Sequence, residues 1–440
     1  MVNRRLFLGV FMYPAAAMAM GMPVRPARFT RRASEIAEEL AGHAGTPDDV
    51  ARDEDFWAQV GRAFTIDRSV INLNNGGVSP SPGFVQEAMK RHLDFANTMP
   101  PPVALWRIQE PQKETVRERL ALQWGVDTEE IAITRNSSES LQICQLGIDL
   151  KKGDEVLCCT QDYPRMITTF KQRERREGIV FKQFQLPIPI EDDAKIVELY
   201  EKAITPQTRL ILMSHIINIT GQILPVKKVV ALARKKNGGI PVIVDGAHAL
   251  AHFDFKLSDL DCDYYGVSLH KWLFAPHGTG LLYVRRDKIK GLWAMQASEE
   301  KNDTDIRKFE EIGTHPAAPF LAIGEALTFN QGIGFARKES RLRFLRDYWA
   351  NCLLKHKDRV KLHTSQKPPY SCGIGNVEIE GLDQEKLISW LWDKRKILVT
   401  GIKHAEFQGI RVTPSVYTTL EELDRFCSAV EFAMEHGIPA

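Results

Sequence analysis

The sequence predicts an α/β protein whose large domain is built on a mostly parallel sheet, with a smaller α+β domain at the carboxyl end. From about residue 115 to 330, short apolar runs alternate with helical stretches. Apolar strands separated by helices are typical of a parallel sheet that is covered on both faces. From about residue 340 the pattern changes to a long charged helix, short strands and a closing helix.

The predicted elements follow in order along the chain. Residues 34–62 are polar and helical, and SVINLNNGGVSPSP is a short strand that ends in a turn. The large domain has strands at EEIAITRN, DEVLCCT, RLILMSHI, IPVIVDGA, DYYGVSLH and TGLLYVRR, and its helices include SSESLQICQLGIDL and PVKKVVALARKKNG. In the small domain, GIGNVEIEG and GIRVTPSVY are strands, and TLEELDRFCSAVEFAMEHG is a helix.

A chain of 440 residues is too long for one ordinary core. We expect a leader at 1–32, an N-terminal segment at 33–90 that joins the small domain, a large domain at 91–335 and a small domain at 336–440.

Charge is unevenly distributed along the chain. Its net charge is +2, but residues 1–32 carry six arginines and no acid, which leaves 52 basic against 56 acidic residues in the remainder. This balance predicts no nucleic-acid partner. Arg4 and Arg5 precede an apolar run with small residues at Ala17 and Ala19, an order that resembles a twin-arginine export signal. We therefore expect a periplasmic or otherwise exported protein that uses the twin-arginine export machinery.

The seven cysteines form no C-x-x-C pair, and no histidine-rich tract accompanies them, so we expect no metal site. Most lie in apolar runs, which favours buried free thiols, although the sequence leaves a disulfide open.

Three predicted strand ends carry polar residues. VIVDGAH places Asp245 and His248 after one strand, VSLHK places Ser268, His270 and Lys271 after another, and ITRNSSES places Ser137 and Ser138 where a helix begins. Each has an ordinary explanation taken alone: a helix cap, a turn residue or a solvated lysine. Together they supply a carboxylate, an amine and a helix N-terminus at the edge of a parallel sheet where ligands bind.

Pyridoxal phosphate requires these three groups. Its aldehyde needs a lysine, here Lys271, for a Schiff base, and its pyridinium nitrogen needs a carboxylate, here Asp245. Its phosphate needs the donors of a helix N-terminus. With Asp245 holding the ring protonated, Lys271 is predicted to carry the α-proton of an amino-acid substrate.

The spacing from Asp245 to His248 and from Ser268 to Lys271 resembles the class V aminotransferase group of fold-type I pyridoxal-phosphate enzymes. The group includes cysteine desulfurases, kynureninase-like lyases and isopenicillin N epimerase-like proteins. The resemblance runs from LNNGGVSPSP to IRVTPSVYTTLEELDRF. It implies a mostly parallel seven-stranded sheet in the large domain and an enzyme: an aminotransferase, epimerase or lyase.

The resemblance also implies roles for single residues. The phosphate would be bound by Ser137, Ser138, Ser268 and His270, the cofactor's phenolic oxygen would be bound by Asn218 with His248 nearby, and Tyr163 would stack on the pyridine face as a catalytic residue. Thr314 would reach the phosphate of a neighbouring subunit, which implies a homodimer. Arg411 would clamp the α-carboxylate of the substrate, and Asn75 would lie beside the substrate.

Two departures from the family narrow the function. Cysteine desulfurases carry a nucleophilic cysteine shortly before the arginine strand, whereas His404 or a neighbour stands there and no cysteine lies between Cys372 and Cys427. Desulfuration is therefore disfavoured. Ser415 and Thr418 replace the histidine and asparagine that relatives often carry, so the substrate contacts there are not predicted.

The likeness is greatest to isopenicillin N epimerase-like proteins, and epimerisation, transamination and C–S or β-elimination all remain open. The alternative is a non-catalytic binding or regulatory protein on this fold, which the presence of Lys271 and Asp245 disfavours. A nicotinamide enzyme is disfavoured because no G-x-G-x-x-G follows a strand.

Overall fold

The computed structural model describes residues 28–439, and a seven-stranded sheet lies at the centre of its larger part. In chain order the strands are β1 (Ile71–Asn72), β2 (Ile131–Thr134), β3 (Glu155–Cys159), β4 (Val180–Phe184), β5 (Thr208–Ser214), β6 (Val242–Asp245), β7 (Tyr264–Ser268), β8 (Gly280–Val284), β9 (Val360–Leu362), β10 (Gly375–Ile379), β11 (Ile397–Leu398), β12 (Thr400–Lys403) and β13 (Gln408–Val412). The large sheet has the order β2-β8-β7-β6-β5-β3-β4, in which β8 runs antiparallel to both neighbours and the other adjacent pairs are parallel. The predicted fold class is confirmed.

The α-helices lie between and around these strands. They are α1 (Arg28–Ala41), α2 (Pro47–Ala51), α3 (Glu54–Gly61), α4 (Gly83–Thr98), α5 (Glu110–Trp124), α6 (Ser137–Gly147), α7 (Pro164–Glu177), α8 (Asp193–Ala203), α9 (Val226–Lys235), α10 (Arg286–Ile289), α11 (Ala318–Leu321), α12 (Ile323–Ile333), α13 (Phe335–Leu353), α14 (Gln384–Arg395) and α15 (Leu420–His436). A π-helical segment at Val103–Gln109 leads into α5. Within residues 28–439, no helix is both long and apolar enough to cross a bilayer.

Both faces of the large sheet are buried, because successive strand residues enter two separate cores. In β5, Ile211 and Met213 belong to one hydrophobic cluster, whereas Leu210 and Leu212 belong to the other. Side chains alternate across a strand, so an uninterrupted apolar run is what a sheet covered on both faces requires. This explains why the central strands were predictable from composition.

Strand β4 was not predicted. It lies at the edge of the sheet beside β3, and its residues Val180 to Phe184 are exposed or half-buried. This edge strand buries little side-chain surface and so lacks the apolar run that identifies its neighbours, whereas β2 at the opposite edge is buried throughout.

The smaller part of the molecule is a four-stranded antiparallel sheet of order β12-β13-β10-β9 with its own core. Trp349 of α13 and Phe426 of α15 meet at that core, with a ring-centroid distance of 6.1 Å. The N-terminal segment divides between the two cores. Phe56 and Trp57 of α3 belong to the large-domain core, whereas Ile71 of β1 belongs to the small-domain core, where β1 pairs in parallel with β11.

The predicted leader begins outside the described residues, which start at the first residue of α1. Export of the protein therefore stays a prediction.

Candidate active site

The carboxyl ends of the parallel strands lie along one side of the large sheet. The predicted site residues lie at or just after these strand ends. Thr134 of β2 pairs with Gly280 of β8, which also pairs with Ser268 of β7. Farther along the sheet, Asp245 of β6 lies beside Ser214 of β5. The topology therefore brings together polar side chains that are more than a hundred residues apart in sequence.

The N-terminus of α6 and the end of β7 are joined by their serines. The backbone N–H of Ser137 donates to Oγ of Ser268 at 3.0 Å, and Ser268 Oγ donates to Ser137 Oγ at 2.8 Å. Asn136 caps the helix by accepting a hydrogen bond from the Glu139 N–H. A Cβ at Gly280 would lie 2.6 Å from the Asn136 nitrogen, so the close approach of β8 requires glycine. The result is a helix N-terminus lined by hydroxyl groups, an arrangement that favours a phosphate.

The carboxylate of Asp245 is buried and has few internal partners. One oxygen accepts the Ala247 N–H at 3.0 Å. Burial raises the pKa of Asp245 to about 6, and the opposing effects of the Ala247 N–H and of the nearby Lys271 ammonium do not cancel it. The turn after it depends on Gly246, where a Cβ would lie 1.9 Å from the ring of Tyr265. A buried carboxylate in this state is stabilised by a cationic N–H partner such as a pyridinium.

Lys271 lies beside His248. The two side-chain nitrogens, Nζ and Nε2, are 3.0 Å apart. Burial lowers the pKa of Lys271 to about 8, Asp245 opposes that shift, and the Arg411 guanidinium adds to it. Burial also lowers the pKa of His248 well below its usual value, so this imidazole is neutral. An amine with a pKa near neutrality is available as a nucleophile and as a base.

Arg411 of β13 is held at the site by two asparagines. Its Nη1 donates to the backbone oxygen of Asn218 at 3.1 Å, and its Nη2 donates to Oδ1 of Asn74 at 2.8 Å. Burial lowers the pKa of Arg411 to about 10. Among the described residues, two buried atoms here have no hydrogen-bond partner: Nε of Arg411 and Oδ1 of Asn218. Unpaired buried polar atoms are costly, and a bound ligand would satisfy them.

Asn75, which is predicted to lie beside the substrate, makes hydrogen bonds within the protein. Asn75 is fully buried, and its amide donates to the backbone oxygens of Asn72 and Thr413 while its Oδ1 accepts from the Tyr417 hydroxyl. These bonds tie the N-terminal segment to the small domain. Its neighbour Asn74, where the chain enters a turn, accepts a hydrogen bond from Arg411 instead. The assignment of Asn75 to substrate binding stays a prediction, and its neighbour Asn74 is the asparagine whose side chain contacts Arg411.

The remaining predicted residues are distributed around the site. Tyr163 precedes α7, is 38% exposed, and lies near enough to Arg411 to influence it electrostatically. Ser138 is half-buried in the first turn of α6, and His270 Nδ1 donates to the Thr279 oxygen at 3.1 Å. Thr314 is exposed and makes no hydrogen bond to these groups within the described part of the chain.

Sequence reasoning missed a second buried carboxylate. Asp162 accepts the backbone N–H of Cys159 at 2.8 Å and both the N–H and hydroxyl of Ser214 at 2.7 Å. It joins the ends of β3 and β5, and its negative charge contributes to the raised pKa of Asp245. The signal was present in TQDYP, where an acid follows an apolar strand as Asp245 does.

The loop before β13 is the position at which a cysteine desulfurase would carry its nucleophilic cysteine. In this structure the loop is hydrogen-bonded to the large domain. His404 Nε2 donates to the Thr160 oxygen at 3.1 Å, and Glu406 accepts hydrogen bonds from the Thr160 hydroxyl and the Gln161 amide. The segment between β12 and β13 contains no cysteine, so it offers no thiol to form a persulfide.

The donor set fits pyridoxal phosphate. A phosphate suits the helix N-terminus at Ser137, a pyridinium suits the buried Asp245, and an aldehyde suits the amine of Lys271. The buried amide oxygen of Asn218 has no hydrogen-bond partner within the described residues, so it is available to a bound group.

The sequence profile of the family described as "Aminotransferase class-V" matches residues 105–426, which include every one of these large-domain groups and Arg411. The chain belongs to the class-V aminotransferase family. It is a pyridoxal-phosphate-dependent enzyme, and the predicted cofactor is confirmed.

The chain matches its curated relatives over nearly their full length. The chain is similar to isopenicillin N epimerase from Amycolatopsis lactamdurans, with 30% identity over 85% of this chain and 98% of the relative. It is also similar to hercynylcysteine sulfoxide lyase from Schizosaccharomyces pombe, with 25% identity over 85% of this chain and 96% of the relative. A cysteine desulfurase structure from Escherichia coli has the same fold, with a TM-score of 0.75 and 21% identity over 89% of this chain and 99% of that one.

Proposed function

We propose that this class-V enzyme acts on an amino acid or an amino-acid-containing small molecule and cleaves a bond at its α-carbon. The observation that carries the proposal is that the Asp245 carboxylate and the Arg411 guanidinium both lie near enough to the Lys271 amine to influence its charge. The similarity to two kinds of relative favours epimerisation first and C–S or β-elimination second, with transamination as the third outcome.

The residues of the chain have separate tasks in binding. When bound, pyridoxal phosphate supplies the electron sink that allows a bond to the α-carbon to break. The N-terminus of α6 with Ser137 and Ser268 holds the phosphate, and Asp245 holds the proton on the ring nitrogen. Tyr163, which influences the charge of Arg411, would stack on the cofactor ring, as the family resemblance implies. Arg411 orients the α-carboxylate of the substrate through the Nε that is unpaired in this structure.

Lys271 moves the proton at the α-carbon. Its lowered pKa of about 8 leaves a useful fraction of free amine near neutral pH. Epimerisation also requires delivery of a proton to the opposite face. Tyr163, with its exposed hydroxyl-bearing ring, is the candidate for that role.

The test incubates the purified, cofactor-loaded enzyme in D₂O with a panel of L- and D-amino acids. Inversion with one α-deuterium identifies an epimerase, a keto acid formed without ammonia while an added 2-oxo acid gains the amino group identifies an aminotransferase, and a keto acid with ammonia and a thiol or sulfenic product identifies a lyase. Lys271→Ala should lose the absorbance of the bound cofactor and all three activities, whereas Lys228→Ala, an exposed control, should retain them. A colourless wild-type protein after incubation with the cofactor would contradict the proposal.

We also propose a homodimer in which Thr314 of each subunit contributes to the neighbouring site. Thr314 lies in an exposed segment before α11, where a partner can reach it. A threonine hydroxyl at that position would add a donor to the phosphate. The proposal is supported by the match of EIGTHP to the family pattern.

We propose that the protein is exported by the twin-arginine route. The support is the Arg4-Arg5 pair with its following apolar run and the absence of acidic residues from the first 32 positions. That route carries folded proteins, which suits an enzyme that binds its cofactor before leaving the cytoplasm.

A further inference from the structure

Three aromatic side chains form a hydrogen-bonded and stacked chain behind Lys271. The indole Nε1 of Trp272 donates to Nδ1 of His248 at 3.4 Å, and Nε2 of His248 lies 3.0 Å from the Lys271 amine. The Trp272 ring stacks on His252 with a centroid distance of 3.6 Å and an interplanar angle of 9°. Both histidines are buried, so their hydrogen-bonding roles are determined by these neighbours.

The Trp272 contact determines which nitrogen of His248 carries the proton. An indole N–H is only a donor, so Nδ1 of His248 must accept. A neutral imidazole has one protonated nitrogen, and the proton of His248 is therefore on Nε2, facing the Lys271 amine. That N–H pairs favourably with the lone pair of a free amine, whereas an ammonium group has no lone pair to accept it.

His252 holds Trp272 in place from the small-domain side. The backbone N–H of Gly373, just before β10, donates to Nε2 of His252 at 2.8 Å, so His252 Nδ1 carries the proton and donates to the His248 oxygen at 2.7 Å. Lys338 of α13 donates to the Trp272 backbone oxygen. The indole therefore has one orientation, and its N–H is directed at His248.

We propose that Trp272 is a positioning residue that acts through His248 to raise the free-base fraction of the Lys271 amine when that amine is not bound to the cofactor. The inference rests on the proposed function in one respect: in that function, the free amine of Lys271 reacts with the cofactor and accepts the α-proton. Two other charged groups influence Lys271: Asp245 at the end of β6 favours the ammonium, and Arg411 of β13 disfavours it. Like Arg411, Trp272 disfavours the ammonium form of Lys271, but it does so without placing a charge in the site.

The test measures the protonation of Lys271 in the cofactor-free protein. Trinitrobenzenesulfonate labels free amines, and mass spectrometry of the Lys271 peptide gives the labelling rate at each pH. In Trp272→Phe the ring stack on His252 is retained but the N–H is lost, so His248 is free to present an unprotonated Nε2 to an ammonium. We expect the pH at which the labelling rate is half-maximal to rise by about one unit in the variant. Below that pH, Lys271 of the variant should be labelled roughly tenfold more slowly than in the wild type.

Trp349→Phe is the matched control. Trp349 is fully buried, but within the described residues its Nε1 has no hydrogen-bond partner, so this variant removes an indole N–H that has no role at the site. It should leave the Lys271 midpoint unchanged. An unchanged midpoint in a folded Trp272→Phe protein would overturn the inference.

A second measurement needs no variant. In the cofactor-free wild-type protein with ¹⁵N-labelled histidine, the His248 resonances should show a proton on Nε2, and a proton on Nδ1 would overturn the inference. Neither readout requires turnover. If the midpoint shifts and yet no amino acid reacts, the inference stands and the proposed function fails.

Discussion

Asn74 accepts a hydrogen bond from Nη2 of Arg411 at 2.8 Å, although 337 residues separate them in the sequence. The contact joins the segment after β1 to strand β13 of the small domain. With Nη1 held by the Asn218 oxygen, the guanidinium is oriented on two sides and its Nε is left for a ligand. The orientation of Arg411, the proposed substrate clamp, therefore depends on the N-terminal segment as well as on the small domain.

Arg411→Lys should raise KM for α-carboxylate substrates by about 10- to 100-fold, because lysine keeps the charge but cannot form the planar paired contact. Steady-state kinetics with an amino acid and with its α-amide provide the measurement and a matched control. The amide lacks the carboxylate, so its KM should change little. Equal losses for both substrates would mean that Arg411 supports the fold of the site and does not bind the carboxylate.

Asp245→Asn should stabilise the cofactor-free protein at neutral pH while removing most of the turnover of the loaded enzyme. The folded-state pKa of Asp245 is about 6, above the ordinary value of 3.8, so between these values the folded protein binds more protons than the unfolded chain. Stability is therefore lost as pH rises through this window, and the cost is fully present above pH 6. The shift corresponds to about 1–3 kcal/mol of unfolding free energy.

Urea unfolding of the cofactor-free wild type and variant at pH 5, 6, 7 and 8 measures this effect. The variant's advantage should grow from pH 5 to 7 and then remain constant. Asp254→Asn, at an exposed position, should show no such trend. An advantage of Asp245→Asn that is independent of pH would contradict the assigned charge state.

Thr314→Val should weaken cofactor binding roughly 3- to 10-fold, the effect of about one hydrogen bond, without dissociating the dimer. Equilibrium dialysis and sedimentation velocity measure the two quantities, and Thr304→Val, at an exposed position nearby, is the control. A sharper test mixes the Thr314→Val protein with the Lys271→Ala protein so that mixed dimers form. In the mixed dimer, the subunit with Lys271 receives an intact Thr314 from its partner and should recover wild-type affinity. Failure to recover would mean that Thr314 acts within its own subunit or not at all.

Replacement of Arg4 and Arg5 by lysine should retain the protein in the cytoplasm, because the paired arginines are what the twin-arginine machinery reads. Cell fractionation followed by immunoblotting measures the distribution. Arg25→Lys and Arg28→Lys, which keep the same charge outside the pair, should be exported as the wild type is. If the wild type itself stays in the cytoplasm, the export proposal is wrong.

The sequence by itself determined the α/β class and the ends of the strands at which the candidate site residues lie. Central strands such as β5 and β6 are buried on both faces, so their apolar runs are visible in the composition. Asp245 is the last residue of β6, Lys271 follows the central strand β7, and Ser137 follows the edge strand β2. Since parallel strands end at one edge of the sheet, neighbours in the fold were predictable without knowing any distance.

Only the tertiary structure decided which side chains meet across long separations. The sequence contains two adjacent asparagines, and nothing local distinguishes Asn74, which binds Arg411, from Asn75, which binds Thr413. The environment of Lys271 likewise depends on Trp272, His248 and a backbone N–H of Gly373. Short-range patterns report which face of an element is buried, whereas hydrogen-bond partners depend on how complete elements pack. For that reason the chemistry of the site was predictable and its supporting contacts were not.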